Sequence, residues 1–208
     1  MIGIVDYGRG NLRSVEKALE KLGFEAGILR SPDELKKTDG LILPGVGAFA
    51  DAMEALNREG WVQPLRDYAG SGRPFLGICL GMQLLFEMGE EHGEHPGLGL
   101  LPGRVVKFPA GLKIPHMGWN TLRLVRESPL TAGIPDNSYF YFVHSYYAQA
   151  DEDCIAGVSE YGITFPAFTG RDNIWGAQFH PEKSSPWGLV MLKNFGKWVG
   201  EHEHISGN

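Results

Sequence analysis

Two apolar rhythms divide the chain. In the first half, short apolar runs alternate with stretches of helical spacing. Met1 to Tyr7, Ala26 to Leu29 and Gly40 to Pro44 read as strands. Pro74 to Ile78 reads as a fourth, followed by an apolar helix that runs on to Phe86. Val15, Ala18, Leu19 and Leu22 share one face of a helix over Ser14 to Leu22, which Gly23 ends. Phe49 to Arg58 and Val62 to Ala69 also have helical spacing. Strands alternating with helices predict βαβ units, hence a parallel sheet covered on both faces.

After about residue 96 the rhythm shortens. Leu100 to Phe108, Thr121 to Val125, Tyr139 to Val143, Ile155 to Val158, Thr164 to Phe168 and Ile174 to Phe179 read as strands, several of them antiparallel partners. Leu189 to Val199 is a closing helix, with Ser185 as N-cap and Pro186 at its first position. No repeat, low-complexity tract or linker interrupts the pattern. The expected fold is α/β: a mostly parallel open sheet flanked by helices, with added antiparallel strands in the second half. Residues 1–208 read as one domain.

Composition narrows the partners. Net charge is −6 with no basic cluster, which argues against nucleic acid or an anionic membrane. No apolar run is long enough to span a bilayer. The first residues read directly as a strand rather than as an export signal. The 2 cysteines, Cys79 and Cys154, are therefore expected as reduced thiols in a cytoplasmic protein.

The rarity of cysteine draws attention to Gly77-Ile78-Cys79-Leu80-Gly81, between a strand and an apolar helix. This is the form of a nucleophile elbow with cysteine in the nucleophile's place. A sharp strand-to-helix turn strains the central residue and crowds its neighbours, so glycines flank it. A helix N-terminus favours the thiolate, and the Leu80 N–H is placed to donate to an oxyanion. The bland reading is a structural cysteine in a core. Gln178-Phe179-His180-Pro181-Glu182 adds a base and a carboxylate two residues apart, expected on one side of an extended chain. Pro44-Gly45-Val46-Gly47 adds a loop with little side-chain bulk, open to close approach by a ligand. All three segments follow strands of the inferred parallel sheet, where open α/β sheets bind ligands.

At these residues the chain resembles the class I glutamine amidotransferases, through "PGVGAF", "GICLGMQLLF" and "QFHPEKS". Within them it resembles the glutaminase subunits of imidazole glycerol phosphate synthases, through "DYGRGNLRSV", "PGVGAFADAM", "KIPHMGWN" and "YFVHSYY". These stretches span nearly the whole chain. The resemblance implies that glutamine is hydrolysed and its ammonia passed to a (β/α)8 cyclase subunit in a heterodimer. That partner would make imidazole glycerol phosphate and AICAR in histidine biosynthesis. By motif position Cys79 would be the nucleophile, His180 the base and acid, and Glu182 the orienting carboxylate. Val46, Gly47 and Leu80 would form the oxyanion hole. Gly45, Gln83, His144, Ser145 and Tyr146 would bind substrate. No cofactor is implied.

Met117 and Trp119 interrupt any core pattern in the Pro115 to Asn120 loop and are candidate interface anchors. Asn120, Tyr141 and Lys183 are expected on the same face. The remaining histidines are plainer. His92 and His95 fall in an acidic stretch, Glu90 to Gly97, read as a solvated loop; with His116 they make no tight ligand pattern, so no metal is expected. His202 and His204 lie in a polar tail expected to be exposed, and Cys154 is expected in the core. The aromatic run Tyr139 to Phe142 is expected to be chiefly strand core. Three rivals remain: the glutaminase of another synthase, a free-standing cysteine hydrolase, and a non-catalytic binding protein on this scaffold.

Overall fold

The computed structural model describes residues 1–203; His204, expected in the exposed tail, lies outside them. In chain order the elements are β1 (Ile2–Val5), α1 (Leu12–Lys21), β2 (Ala26–Leu29), β3 (Gly40–Leu43), α2 (Phe49–Arg58), α3 (Val62–Gly70), β4 (Phe75–Ile78) and α4 (Leu80–Leu84). There follow β5 (Phe86–Gly89), β6 (His95–Pro96), β7 (Leu101–Lys107), β8 (His116–Leu124), β9 (Ser138–His144) and β10 (Tyr146–Ala150). The chain closes with β11 (Ile155–Glu160), β12 (Thr164–Arg171), β13 (Ile174–Ala177) and α5 (Trp187–Glu203).

The main sheet has nine strands in the order β2-β1-β3-β4-β13-β12-β11-β8-β9. Pairing is parallel from β2 through β13 and antiparallel from β13 to β9. A smaller sheet, β10-β7-β5-β6, packs beside it. Strand alternation splits the core in two. Ile42, Leu76 and Ile78 face a cluster with Val15 and Leu19 of α1 and Leu192 and Phe195 of α5. Leu41, Leu43 and Phe75 face the opposite cluster, with Leu56 of α2, Leu65 of α3 and Phe86 and Val105 of the small sheet. Residues i and i+1 of one strand thus build two cores, as expected of a sheet covered on both faces.

Several sequence expectations need correction. The helix after Cys79 stops at Leu84, and Phe86 opens β5, because Phe86 and Met88 pair with β7. The Pro115 to Asn120 loop is mostly strand: β8 begins at His116 and pairs residue by residue with β9. Glu90 to Gly97 is not simply a solvated loop, since His95 and Pro96 pair with Gly89 and Met88. Strand β10 was not expected; its polar Gln149 breaks the apolar run, and only pairing with β7 defines it. Tyr139 belongs to the solvent side of β9 and is 59% exposed, while its neighbours Ser138 and Phe140 are buried. At α5, the Pro186 carbonyl accepts from Leu189 and Val190, so proline precedes the helix and Ser185 does not cap it. His202 is half-buried against the Trp198 ring rather than exposed. Cys154 is fully buried, as expected.

Candidate active site

Strands β3, β4 and β13 lie side by side and parallel, so the three segments that follow them arrive at one edge. Cys79 sits between β4 and α4 at φ +55°, ψ −113°, a conformation that L residues rarely adopt. Its flanking glycines have steric reasons. A Cβ on Gly81 would lie 1.8 Å from the Leu43 carbonyl oxygen, and one on Gly77 would lie 2.7 Å from the Gly81 carbonyl oxygen. The thiol is 6% exposed, 3.8 Å from the Val143 carbonyl and 4.0 Å from Gln178 Nε2.

His180 and Glu182 meet, though not along an extended chain. Pro181–Lys183 forms one 3-10 turn with proline at its start, and His180 Nδ1 lies 2.9 Å from Glu182 Oε1. Both side chains are almost fully buried. Among the described residues His180 Nε2 has no hydrogen-bond partner of ordinary geometry. Burial alone would lower its pKa. The Cys79 sulfur and then the Glu182 carboxylate outweigh burial and push it up to about 10. A base held this way takes a proton readily and keeps it as a cation beside an anion. The segment is pinned to β9: His180 N–H donates to the Tyr141 carbonyl at 2.9 Å, Tyr141 N–H donates to Ser184 Oγ at 2.8 Å, and that hydroxyl donates to the His180 carbonyl at 2.6 Å.

The third segment packs close. Gly45 leaves no room for a side chain: a Cβ there would lie 2.5 Å from the Tyr7 hydroxyl and 3.0 Å from Gly81 N. Gly47 has φ +98°. Among the described residues the N–H groups of Val46, Gly47 and Leu80 have no hydrogen-bond acceptor, and all three residues line one cavity with Cys79 and His180. The cavity measures about 370 Å³. Gln83, His144, Ser145 and Tyr146 complete much of its wall, together with Pro115 and Val143.

Gln83 is buried, and its amide nitrogen is already committed, donating to the Tyr146 carbonyl and to Gln178 Oε1, each at 3.0 Å. His144 is one of the wall residues, and its ring bonds His116 on one side and the Tyr146 carbonyl on the other. Met117 and Trp119 are 64% and 53% exposed, and Lys183 is exposed. Tyr141 is half-buried, with its ring 6.0 Å from that of Trp119. Asn120 faces the other way, toward His116 and the Glu160 carbonyl. The expected interface set therefore splits, because alternate residues of a strand point to opposite faces.

Sequence reasoning missed two groups. Glu91 lines the cavity as the one carboxylate among the described residues of its wall and accepts from Phe49 N–H at the start of α2, at 2.8 Å. Its stretch looked like solvated loop because the contact partner is 42 residues away. Tyr7 donates to the Pro44 carbonyl at 3.0 Å, and Arg9 reaches Asp51 at 3.4 Å beside Gly47. The "DYGRGN" motif that includes both residues served only as a marker, although it braces the glycine loop. Among the described residues no cluster of His, Cys, Asp and Glu has the geometry of a metal site, and no helix is long and apolar enough to cross a membrane.

Comparison with known proteins places the chain in a family. The family model for class I glutamine amidotransferases matches residues 3–198. An imidazole glycerol phosphate synthase subunit HisH from Desulfitobacterium hafniense (strain DSM 10664 / DCB-2) is 70% identical, with 100% of this chain and 99% of that protein covered. The HisH subunit from Moorella thermoacetica is 53% identical, with 95% of each covered. Among solved structures, a glutamine amidotransferase superposes with TM-score 0.76 at 21% identity, covering 96% of this chain and 98% of that one. PurLQS from Thermotoga maritima also gives 0.76 at 21%, covering 97% and 98%. These two likenesses speak to the fold alone, whereas the family model and the sequence relatives place the chain more narrowly. The chain belongs to the class I glutamine amidotransferase family, on the branch of these HisH subunits.

Proposed function

We propose that the chain hydrolyses glutamine to glutamate and ammonia through Cys79, His180 and Glu182, and hands the ammonia to a cyclase subunit. The observation that carries this reading is the strained cysteine facing a buried His–Glu pair across a cavity lined by unpartnered N–H groups. A carboxamide is a poor electrophile, so the chemistry needs an activated nucleophile and a site for the oxyanion. Cys79 gives its proton to His180 and attacks the side-chain carbonyl carbon. The tetrahedral oxyanion takes the Leu80 N–H and an N–H from Val46 or Gly47. His180 returns the proton to the leaving nitrogen, releasing ammonia and a glutamyl thioester. Water, deprotonated by His180, cleaves the thioester and restores the thiol. Glu182 orients the imidazole throughout and stabilises its cation. Glu91 suits the α-ammonium group of glutamine, and the Ser145–Tyr146 backbone suits its amino-acid end.

The relatives' name supplies the acceptor reading: a subunit of imidazole glycerol phosphate synthase implies a second subunit that consumes ammonia. The proposed docking face is the exposed side of β8 and β9, with Met117, Trp119 and Tyr141, extended by Lys183. Tyr141 backbone bonds tie that face directly to the His180 segment, so docking and catalysis share a strand. Control by the partner follows. The Gly45–Val46 peptide has glycine freedom on its Gly45 side, and Gly47 follows, so the loop can turn an N–H toward or away from the oxyanion. Ammonia release from glutamine, measured for the chain alone and then with the cyclase subunit and its phosphorylated nucleotide, tests this reading. A rise of about a thousandfold corresponds to a bias of roughly 4 kcal/mol between two loop states. Full activity of the chain alone, unchanged by partner and ligand, favours a free-standing hydrolase instead.

A further inference from the structure

Two buried histidines stand outside the triad. His116 on β8 and His144 on β9 are register partners, and His116 Nδ1 lies 3.0 Å from His144 Nε2. One fixed point settles every proton in the pair. The Tyr146 carbonyl can only accept, so His144 donates to it from Nδ1, at 2.7 Å. A neutral His144 then offers Nε2 as acceptor, and His116 must donate from Nδ1. His116 Nε2 is left as acceptor for Asn120 Nδ2–H at 3.2 Å. The other Nδ2 hydrogen goes to the Glu160 carbonyl at 2.8 Å, while Asn120 Oδ1 accepts from Thr121 N–H at 2.8 Å. Each donor has its acceptor only if both imidazoles are neutral.

The surroundings enforce that state. The His116 ring is stacked between Phe142 and Tyr161, with centroids at 5.0 and 4.2 Å. His144 lies against Phe108 and Phe165 at 5.2 and 5.3 Å. Burial lowers the pKa of both histidines. The far end of the chain of bonds reaches the cavity. The Tyr146 carbonyl also accepts from Gln83, whose amide bonds Gln178 beside the Cys79 sulfur. The carbonyl of Tyr146, a residue of the cavity wall, is thus fixed from two directions.

We propose that His116 and His144 are positioning residues: a proton-ordered imidazole pair that fixes the Ser145–Tyr146 backbone, against which the amino-acid end of the substrate is held. The pair also connects that backbone to β8, whose opposite side carries Met117 and Trp119. The proposal rests on the glutaminase reading. It assigns these histidines to substrate placement, with no part in proton transfer to or from the reacting amide.

The test uses the chain in complex with its cyclase subunit. His116→Phe keeps the stacking but loses the donor to His144. His116→Asn keeps a donor near the Nδ1 position. The expected result is a KM for glutamine raised about tenfold in His116→Phe, with kcat little changed, and a KM returned close to wild type in His116→Asn. An unchanged KM in His116→Phe overturns the positioning role. So does an equal loss of kcat, KM and thermal midpoint in both variants, which marks the pair as packing only. If His116→Phe does not fold, nitrogen NMR of ¹⁵N-histidine-labelled wild type decides. Both rings should be neutral with the proton on Nδ1 at pH 7 and at pH 5.5; an Nε2–H tautomer or an imidazolium at either position overturns the proposal. A wild-type complex that releases no ammonia from glutamine overturns the glutaminase reading itself, whatever the tautomers. An active complex with an unmoved KM in His116→Phe overturns this inference alone.

Discussion

The parallel half of the main sheet and its antiparallel half contribute to the same cavity by different physics. From β2 to β13, apart from the His180–Glu182 pair, the site is made of backbone: a strained Cys79, glycines that admit no Cβ, and N–H groups left open among the described residues. From β12 to β9, it is made of side-chain networks that cross strands, with His116 on His144 and Tyr141 next to Trp119. The first kind of site tolerates almost no change at a few positions. The second spreads its contribution over many contacts, each worth less. Substitutions in the two halves should therefore differ in both size and kind of effect.

The largest effect is expected at the elbow. Cys79→Ala should lower glutamine hydrolysis by about 10⁴-fold or more while leaving the fold intact, because the small side chain accepts the same backbone. Ammonia release and thermal unfolding, measured together, check both halves of that statement. Gly81→Ala should act on stability instead. Its Cβ would meet the Leu43 carbonyl at 1.8 Å, where backbone cannot yield, so a loss of about 3 kcal/mol or more is expected in urea unfolding. If Gly81→Ala proved as stable as the parent, the elbow would not be the rigid unit described here.

The antiparallel half should respond more gently. Trp119→Ala should leave unfolding unchanged, since the ring is 53% exposed, yet weaken cyclase binding by about 2 kcal/mol, as an anchor residue would. Calorimetric titration with the partner measures this directly. The smallest effect is a slope with pH. Burial holds His116 at about 4 and His144 at about 3, against 6.5 when unfolded. Their stability contribution is intact above pH 6.5 and is lost as pH falls toward 4, by up to about 1.4 kcal/mol per pH unit for each ring kept neutral. Tyr161 stacks on His116, and the His180 charge acts on His144. His180 runs the other way: raised to about 10, its contribution is complete below pH 6.5 and fades as pH rises toward 10. Urea midpoints at pH 7 and pH 5 should fall less steeply in His116→Asn than in wild type.

The same contrast explains what the sequence disclosed. The elbow was legible because its requirements are local: five consecutive residues contain both the nucleophile and the glycines that make room for it. His180 and Glu182 were legible as neighbours even though their turn was taken for extended chain, since two residues' separation brings them together in either form. Residues 115–120 were misjudged because Gly118 and Asn120 break an apolar pattern, while the strand is defined by pairing with β9 some twenty residues on. Glu91 and the His116–His144 pair left no local signal. Each becomes meaningful only through a partner 28 to 42 residues away. Chemistry carried by backbone shape is written in short motifs, and chemistry carried by cross-strand contacts is written in register.

The central claim is that Cys79 is the nucleophile of a glutamine-hydrolysing site, and one labelling measurement tests it most directly. The chain in complex with its cyclase subunit is treated with a diazo-ketone analogue of glutamine, and the modified cysteine is located by mass spectrometry. Both cysteines are buried, so accessibility alone does not favour either one. Cys79 should carry the whole label, with ammonia release lost in proportion and protection by excess glutamine. Label on Cys154, or full labelling of Cys79 with glutamine hydrolysis undiminished, would contradict the account.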